Sequence, residues 1–453
     1  MSTMSPITLD YLPPQPPLTN SHSHTKIPDP MGQLITPPNT HDHDHDHDHD
    51  IDVDVDIDPK LDDSDEITGT EDTDITDPDL DLDFDPTLDD DDSDDDTLAK
   101  IQGRISHLTE LYTSGKKLFP RQLLADLDAQ IDQGDEEVAI HDLDDVRHTY
   151  SLKIPGWCAD MATSYRISYN SIQNLTCIHP SFPENALRDT PISICYMSSA
   201  EYPKASLEEV RRKFDASTAA WESSETCKAL EAHLSSLAVR LTKPIHKIVG
   251  FGLGTLTALE DGFHAGRAHA QHAAVRSMVR VLMGVRQGRE TKKKKKGVVN
   301  GDVTCEKGAE EQEQEQEEEE EGEGEIKCYA QDPAYTDVDA ALLTSIGITP
   351  LDDPKGFLEI DEHTLVFSVS PNVPVKQIVA DVQWPGAMVW NTVSLEEAEA
   401  QWEKQERDGE EFWVVPFTTD PDSERIRTMV QNYSCVSLRD SDEYFGDLSI
   451  YVR

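Results

Sequence analysis

Basic residues are scarce in this chain of 453 residues, which has 39 Lys and Arg against 90 Asp and Glu and a formal net charge of −51. Two tracts hold many of the acids, with 28 between Asp42 and Asp96 and 11 between Glu310 and Glu325. Wrapping a nucleic-acid backbone requires clustered Lys and Arg. Nucleic acid is therefore not an expected partner.

Cysteines are also few and scattered: there are seven, and no two are spaced C-x-x-C. This pattern excludes a disulfide framework and a zinc site built on cysteines. No stretch approaches the ~20 apolar residues of a membrane span, and the N-terminus lacks the apolar core of a signal peptide. We expect a protein of the cytoplasm, the nucleus or both, without a membrane partner.

Familiar catalytic motifs are missing as well. The sequence contains no G-x-x-x-x-G-K-[ST] phosphate loop, no H-E-x-x-H and no G-x-S-x-G. His264, His269 and His272 lie close together, but no carboxylate stands at ligand spacing beside them. We therefore expect neither a metal site nor the common hydrolase mechanisms.

Residues 1–97 are predicted to be a disordered, Asp- and His-rich tail. The segment contains five His-Asp repeats from His41 to Asp50 and then alternates Asp with Ile, Val or Leu. Such a segment repels itself and has too little apolar surface to offset the entropy of ordering. Its repeats are interpreted as either a simple expansion or a loose metal-binding tract.

Residues 98–240 are predicted to form a mainly helical accessory region. Apolar residues recur at helical spacing from Leu98 to Leu111 and again from Leu123 to Ile131. Ser206 begins a helix that is expected to break near Ser217, and another helix follows up to Leu237.

Residues 241–395 are predicted to form a Rossmann-like α/β domain, with an open, mostly parallel sheet and helices on both faces. Apolar strands alternate with amphipathic helices throughout this part of the chain. A helix should end at Gly284, and residues 285–326 should be a disordered Lys/Glu insertion. Residues 396–453 are predicted to pack on the domain with a charged helix and, at the end, an edge strand.

The stretch Ile245–Thr255, I-H-K-I-V-G-F-G-L-G-T, leads from a buried strand into three glycines at alternate positions. The pattern resembles part of a dinucleotide fingerprint, but no helix follows directly. Two interpretations are open: a loop that holds a nucleotide-like cofactor, and tight packing of strand against helix.

Ligands of open parallel sheets bind beyond the carboxyl ends of the strands. Gly250 to Thr255, Asp332 to Tyr335 and Ser368 to Asn372 follow three predicted strands, so they should share one edge. Asp332 would either accept hydrogen bonds from a ribose or cap the turn at Pro333. The candidate binding residues are Gly250, Gly252, Gly254, Gln271, Asp332, Tyr335, Ser368, Ser370 and Asn372; the sequence names no particular cofactor.

Five motifs in this order resemble the fungal branch of the Sensitivity to Red Light Reduced family. They are V-G-F-G-L-G, Q-H-A-A, Q-D-P-A-Y, G-F-L-E-I and S-V-S-P-N-V-P-V-K-Q-I, and they lie between Lys243 and Val393. The resemblance implies a compact Rossmann-like domain and a role in regulation, including light and circadian signalling, without a settled reaction.

Two functional hypotheses follow. The first is a non-catalytic regulatory protein that binds a protein partner or a small effector. The alternative is a cofactor-dependent enzyme of the methyltransferase kind, with the glycines around the cofactor. Separately, the basic run Arg286–Lys296 either serves as a nuclear import signal or is neutralised by the nearby glutamates.

Deleting residues 1–97 should leave the melting temperature of the remaining chain nearly unchanged, because the tail has little apolar surface to bury. Differential scanning calorimetry of the full chain and the truncated chain checks this. A loss of several degrees on truncation would mean that the tail docks on the folded part.

Overall fold

The computed structural model describes residues 94–198, 205–258, 263–297, 325–396, 401–407 and 410–453. Within these residues, no helix is long and apolar enough to cross a membrane. The helices are α1 (Asp94–Thr113), α2 (Arg121–Asp132), α3 (Ile172–Thr176), α4 (Leu207–Ser223), α5 (Glu225–Ala238), α6 (Phe263–Gly297), α7 (Asp337–Ser345), α8 (Lys355–Leu358), α9 (Val375–Val382) and α10 (Glu424–Val430). The strands are β1 (Glu137–His141), β2 (Arg147–Ser151), β3 (Ser164–Tyr169), β4 (Ile192–Met197), β5 (Lys247–Phe251), β6 (Lys327–Gln331), β7 (Ile348–Pro350), β8 (Thr364–Ser368), β9 (Ala387–Asn391), β10 (Glu403–Arg407), β11 (Glu410–Val414), β12 (Ser434–Leu438) and β13 (Leu448–Val452).

A seven-stranded sheet in the order β12-β13-β9-β8-β5-β6-β7 forms the centre of the fold. The five strands from β9 to β7 run parallel to their neighbours. Strand β13 is antiparallel to both β9 and β12. The predicted α/β class with a mostly parallel sheet is confirmed.

Successive residues of the central strands pack into two separate cores. Ile248 of β5 belongs to the core that contains α4, α5, α6 and α7, whereas Val249 belongs to the core that contains α1, α2, α9 and α10. Both faces of the sheet are therefore covered. Because side chains of a strand alternate between faces, this double burial requires mainly apolar strands without alternation, such as β8 (T-L-V-F-S), all five of whose residues are buried.

Local sequence signals set several helix boundaries. Ser206 and Glu209 form a capping box at the start of α4. This helix does not break near Ser217 as expected, but continues to Ser223. Ser224 then caps α5 by accepting a hydrogen bond from the amide of Cys227. The helical segment is therefore interrupted at Ser224, whose side chain accepts a hydrogen bond from the first turn of α5.

The expectation that a helix ends at Gly284 is wrong. Helix α6 continues through Gly284 and Gly288 to Gly297, so residues 285–297 of the predicted disordered insertion are helical. A glycine inside a helix costs only ~1 kcal/mol, and here Arg, Gln, Glu and Lys residues of good helix propensity follow it. The predictions for residues 298–324, and those for residues 1–93, lie outside the described residues.

Three strands of the region predicted to be mainly helical are absent from the sequence prediction: β1, β2 and β3. The apolar run Ile192–Met197 does predict a strand, and it is confirmed as β4, which pairs antiparallel with β3. The predicted charged helix after residue 396 is wrong, because β10 and β11 form an antiparallel hairpin there, and the side chains of Lys404 and Glu411 form an ion pair across it. The final strand is not at an edge: β13 lies between β9 and β12, and all of its residues are buried.

The carboxylate of Asp381 in α9 connects the N-terminal helices to the sheet. It is buried, and it accepts hydrogen bonds from the amides of Leu118 and Phe119, at 2.7 and 3.1 Å, between α1 and α2. Arg425 of α10 donates to the other carboxylate oxygen at 2.8 Å and also donates to the carbonyl oxygens of Tyr112 and Lys116. One ion pair thus joins four segments of the chain.

Asp381→Ala should destabilise the protein by about 3–5 kcal/mol, because it leaves the half-buried guanidinium of Arg425 and two buried amides without their acceptor. Urea unfolding measures the change. The matched control is Asp135→Ala, an exposed position where we expect a change within about 0.5 kcal/mol. Equal effects of the two substitutions would contradict the anchoring role of Asp381.

Candidate functional site

The loops that follow β5, β6 and β8 meet at one edge of the sheet. Ser368, at the end of β8, donates from its hydroxyl to the carbonyl oxygen of Phe251 at 3.1 Å. Pro371 packs against Gly252: a Cβ atom added to Gly252 would lie 3.1 Å from the Cβ atom of Pro371. The amide of Gly254 donates to the carboxylate of Asp332 at 2.7 Å. The structure thus brings together three of the predicted segments.

Backbone conformation favours glycine at two of the three positions, and all three glycines are closely packed. Gly252 and Gly254 have φ values of 65° and 79°, in the left-handed region that disfavours other residues. A Cβ atom on Gly254 would lie 3.1 Å from the side chain of Ala268 in α6. One on Gly250 would lie 2.6 Å from the side chain of Leu253. These contacts agree with the interpretation of the loop as strand-to-helix packing.

Asp332 accepts hydrogen bonds from the protein itself. One oxygen accepts from Gly254 and the other from the amide of Ala334, at 2.7 and 2.8 Å. The second bond spans two residues and is the expected cap of the turn at Pro333. Burial raises the pKa of the Asp332 carboxyl above its usual range, while both amide bonds favour the charged form. The carboxylate therefore ties β6 to the glycine loop.

A second carboxylate, absent from the sequence prediction, holds the same loop. Asp339 is fully buried and accepts from the amide of Leu256 at 2.6 Å and the hydroxyl of Thr255 at 2.8 Å. It also accepts from the amide and hydroxyl of Thr336, which form a capping box at the start of α7. The spacing Thr336-x-x-Asp339 is a local signal for the cap of α7, but it does not indicate the bonds of Asp339 to the distant glycine loop.

The loop amides are therefore directed inward. Gly254 and Leu256 donate to carboxylates, and Gly252 donates to the carbonyl oxygen of Gln331 at 3.1 Å. A phosphate cradle requires amides that point toward the ligand in a positive field. Here the same amides are already bonded and two negative charges lie beside them, so this conformation does not favour a phosphate.

Two buried histidines of α6, His269 and His272, are hydrogen-bonded to other groups of the protein. His272 bonds the carbonyl oxygen of Ala268 through Nδ1 at 2.7 Å and the hydroxyl of Tyr335 through Nε2 at 2.8 Å. A carbonyl oxygen only accepts, so Nδ1 carries the proton and Tyr335 donates to Nε2. Burial lowers the pKa of His272 to about 4, and it also lowers the pKa of His269. No group of three or more potential metal ligands occurs in the described part of the chain.

The remaining predicted site residues lie at or near this edge. Ser370 has a φ of 47°, and its amide donates to the side chain of Asn391 at 2.7 Å. Asn372 is exposed. Gln271 of α6 is 7% exposed, and its side-chain oxygen has no hydrogen-bond partner among the described residues. Such an unpaired buried acceptor is uncommon in folded proteins.

Comparison with known protein families identifies one match. The model of the SRR1 domain matches residues 226–452, which is half of the chain. The chain belongs to the SRR1 domain family. No curated protein and no solved structure matches it.

The SRR1 domain extends further than the five motifs of the sequence indicate. It begins in α5 and runs to the end of β13, so beyond β9 it also includes β13 and β12 at one side of the sheet. The glycine loop, Asp332, Asp339 and the loop after β8 all lie within it. Both carboxylates that hold the glycine loop are therefore parts of the SRR1 domain.

Asp339→Ala should destabilise the chain by about 3 kcal/mol or more and speed hydrogen exchange at Leu256, because it removes the buried acceptor of the loop. Asp337→Ala is the matched control, since Asp337 is an exposed acid in the first turn of the same helix. Urea unfolding and amide exchange followed by mass spectrometry measure the two effects. Unchanged exchange in the 252–257 segment would show that Asp339 only caps α7.

Proposed function

We propose that this chain is a non-catalytic regulatory protein of the fungal branch of its family. Its domain binds a protein partner or a small effector at the carboxyl edge of the parallel strands, in light, circadian or stress-related signalling. The observation that carries this proposal is that Asp332, Asp339, His269 and His272 are all bonded to the protein's own backbone or side chains. These side chains stabilise the conformation of the loops at this edge.

Acid–base catalysis requires a titratable group within reach of a substrate, with a pKa near the working pH. His272 is buried and neutral, with both ring nitrogens bonded. Asp339 is buried beneath the loop, where it has four donors. The chemistry of this edge thus supports recognition by shape and hydrogen bonding, with Ser370 and Asn372 as outward-facing contacts.

A Rossmann-like assignment of the domain is supported by its strand order. Counted from β5 along the chain, the parallel strands lie in the order 3-2-1-4-5, which is that of the doubly wound dinucleotide-binding folds. Strand order indicates the architecture of the domain. It does not indicate the function, because one such fold supports many functions. The regulatory role rests on family membership, and we propose the cytoplasm or the nucleus as its location.

The second candidate, a methyltransferase-like enzyme, is favoured by one specific observation. Gly250, Gly252 and Gly254 lie in or just after β5, the first strand of the parallel series, which is where the glycines of doubly wound folds approach a nucleotide-derived cofactor. The likeness is one of fold alone.

Asn372→Arg should abolish function in cells that lack the native gene, while the melting temperature stays within about 2 °C, because the change adds bulk and charge only at the exposed edge. Thr344→Arg is the control, since Thr344 is equally exposed at the far end of α7. Complementation, scored on light-dependent growth or transcript rhythm, is the measurement. Full activity of Asn372→Arg would contradict a binding role for this edge.

The two candidate functions are separated by assaying S-adenosylhomocysteine formation from S-adenosylmethionine with the full chain and a cell extract as acceptor. A non-catalytic protein gives the rate of the protein-free blank. Turnover that is lost in Gly252→Val, where the left-handed φ excludes a branched residue, would instead support the enzyme.

A further inference from the structure

A cleft of about 530 Å³ lies at the edge of the sheet opposite to the glycine loop. Trp384, in the loop that leads into β9, and Arg453, which follows β13, line it. Because Val452 of β13 pairs with Ala387, the first residue of β9, both lie where the parallel strands begin. The other walls are the last turn of α9, one side of α10 and the segment between α1 and α2. The cleft is thus separate from the binding edge proposed above.

Charged side chains of both signs line this cleft, and they are Lys117, Asp381, Glu424, Arg425 and Arg453. Asp381 is buried, and its two oxygens are bonded to Arg425 and to two backbone amides. Glu424 pairs with Arg427, the third residue after it on α10, and its side chain is 80% exposed. Both carboxylates therefore already have cationic partners, and Arg425 is committed to Asp381.

Lys117 and Arg453 are the other two cations, and neither forms an ion pair with a carboxylate among the described residues. The ammonium of Lys117 donates to the carbonyl oxygen of Asp381, so two of its three N–H donors remain. The side chain of Arg453 bonds the hydroxyl of Tyr433. The carbonyl oxygen of Arg453 accepts from the amide of Thr242, which does not line the cleft. Both residues are exposed, so their remaining donors are accessible to a ligand.

The half-buried indole of Trp384 brings these two cations together. Its Nε1 donates to the carbonyl oxygen of Ala380 at 3.2 Å, and Lys117 donates to the next carbonyl oxygen of α9, that of Asp381. The guanidinium of Arg453 lies over the same indole, 5.8 Å from the ring centroid. An ammonium and a guanidinium therefore stand beside one aromatic wall.

This combination suits a phosphate monoester better than a single carboxylate. A phosphate monoester carries a charge of about −1.5 to −2 at pH 7 and has three strong acceptor oxygens, so it can accept from both cations at once. The side chains of Gln383 and Thr428 also line the cleft and offer further donors. The group that bears the phosphate would then pack on the indole of Trp384.

We propose that this cleft binds a phosphate monoester on an aromatic group, with Lys117 and Arg453 donating to the phosphate oxygens. The same chemistry is presented by a phosphorylated tyrosine of a partner protein and by a small aromatic phosphate. The proposal goes beyond the proposed function, because the cleft lies at the other edge of the sheet. Complementation by Asn372→Arg tests that first edge alone, so the two proposals fail independently.

The test is calorimetric titration of the full chain with phenyl phosphate, benzoate and a peptide that carries one phosphotyrosine between glycines. Phenyl phosphate should bind at least tenfold more tightly than benzoate, which presents a single charge on the same ring. Equal affinities would overturn the phosphate class, and absence of binding by phenyl phosphate and the peptide at millimolar concentration would overturn the site. Tighter binding of the peptide than of phenyl phosphate supports a partner protein as the source, and equal or weaker binding supports a small molecule.

Two variants, Lys117→Gln and Arg453→Gln, locate the binding. Each should lower the affinity for phenyl phosphate about tenfold, as expected for one lost charge-assisted hydrogen bond. The melting temperature should stay within about 2 °C, because both residues are exposed. The matched controls are Lys153→Gln and Arg240→Gln, at exposed positions outside the cleft, which should leave the affinity unchanged. Unchanged affinity in both cleft variants would overturn the proposal.

Discussion

Backbone amides held by buried carboxylates are the interaction on which the shape of this protein depends. Asp339 fixes the loop after β5 from beneath, and Asp332 fixes it from the neighbouring strand. Asp381 does the same for the segment between α1 and α2. A loop amide in the interior requires an acceptor. In these places a carboxylate from a distant part of the sequence provides it.

This use of carboxylates changes the meaning of the glycine-rich loop. In a phosphate-binding loop the glycines expose amides to a ligand. Here the left-handed glycines turn the amides of Gly254 and Leu256 toward Asp332 and Asp339, and they bring Ala268 of α6 close to the strand. The same sequence pattern therefore builds a loop whose amides are bonded to the protein's own carboxylates.

The sequence predicts the central strands and helices well because their signals are local. The apolar run of β8 and the capping serine of α4 depend on residues close in the chain. The extension of α6 through Gly284 was missed because a glycine weakens a helix without ending it. The position of β13 was missed because strand order depends on which edge a late segment reaches, and a five-residue apolar run carries no information about that.

Within the site, the sequence correctly grouped the three strand ends, because parallel strands place their carboxyl ends together. It did not reveal Asp339, whose pairing with Leu256 joins residues 83 positions apart. The sequence also left the role of Asp332 open, because a carboxylate at the end of a strand can either cap a turn or bind a ligand. In the structure Asp332 caps the turn through the amide of Ala334 and also accepts from the amide of Gly254.

The position of β13 has a consequence for how the sheet is completed. Among the described strands, β12 pairs with the sheet through β13 alone, and β13 follows it in the chain. Until β13 has docked, β9 presents an unpaired edge made of A-M-V-W-N, and β12 has no neighbour in the sheet. Exposed apolar strand edges promote association between incompletely folded chains. The docking of β13, which follows β12 in the chain, thus determines when this edge is protected.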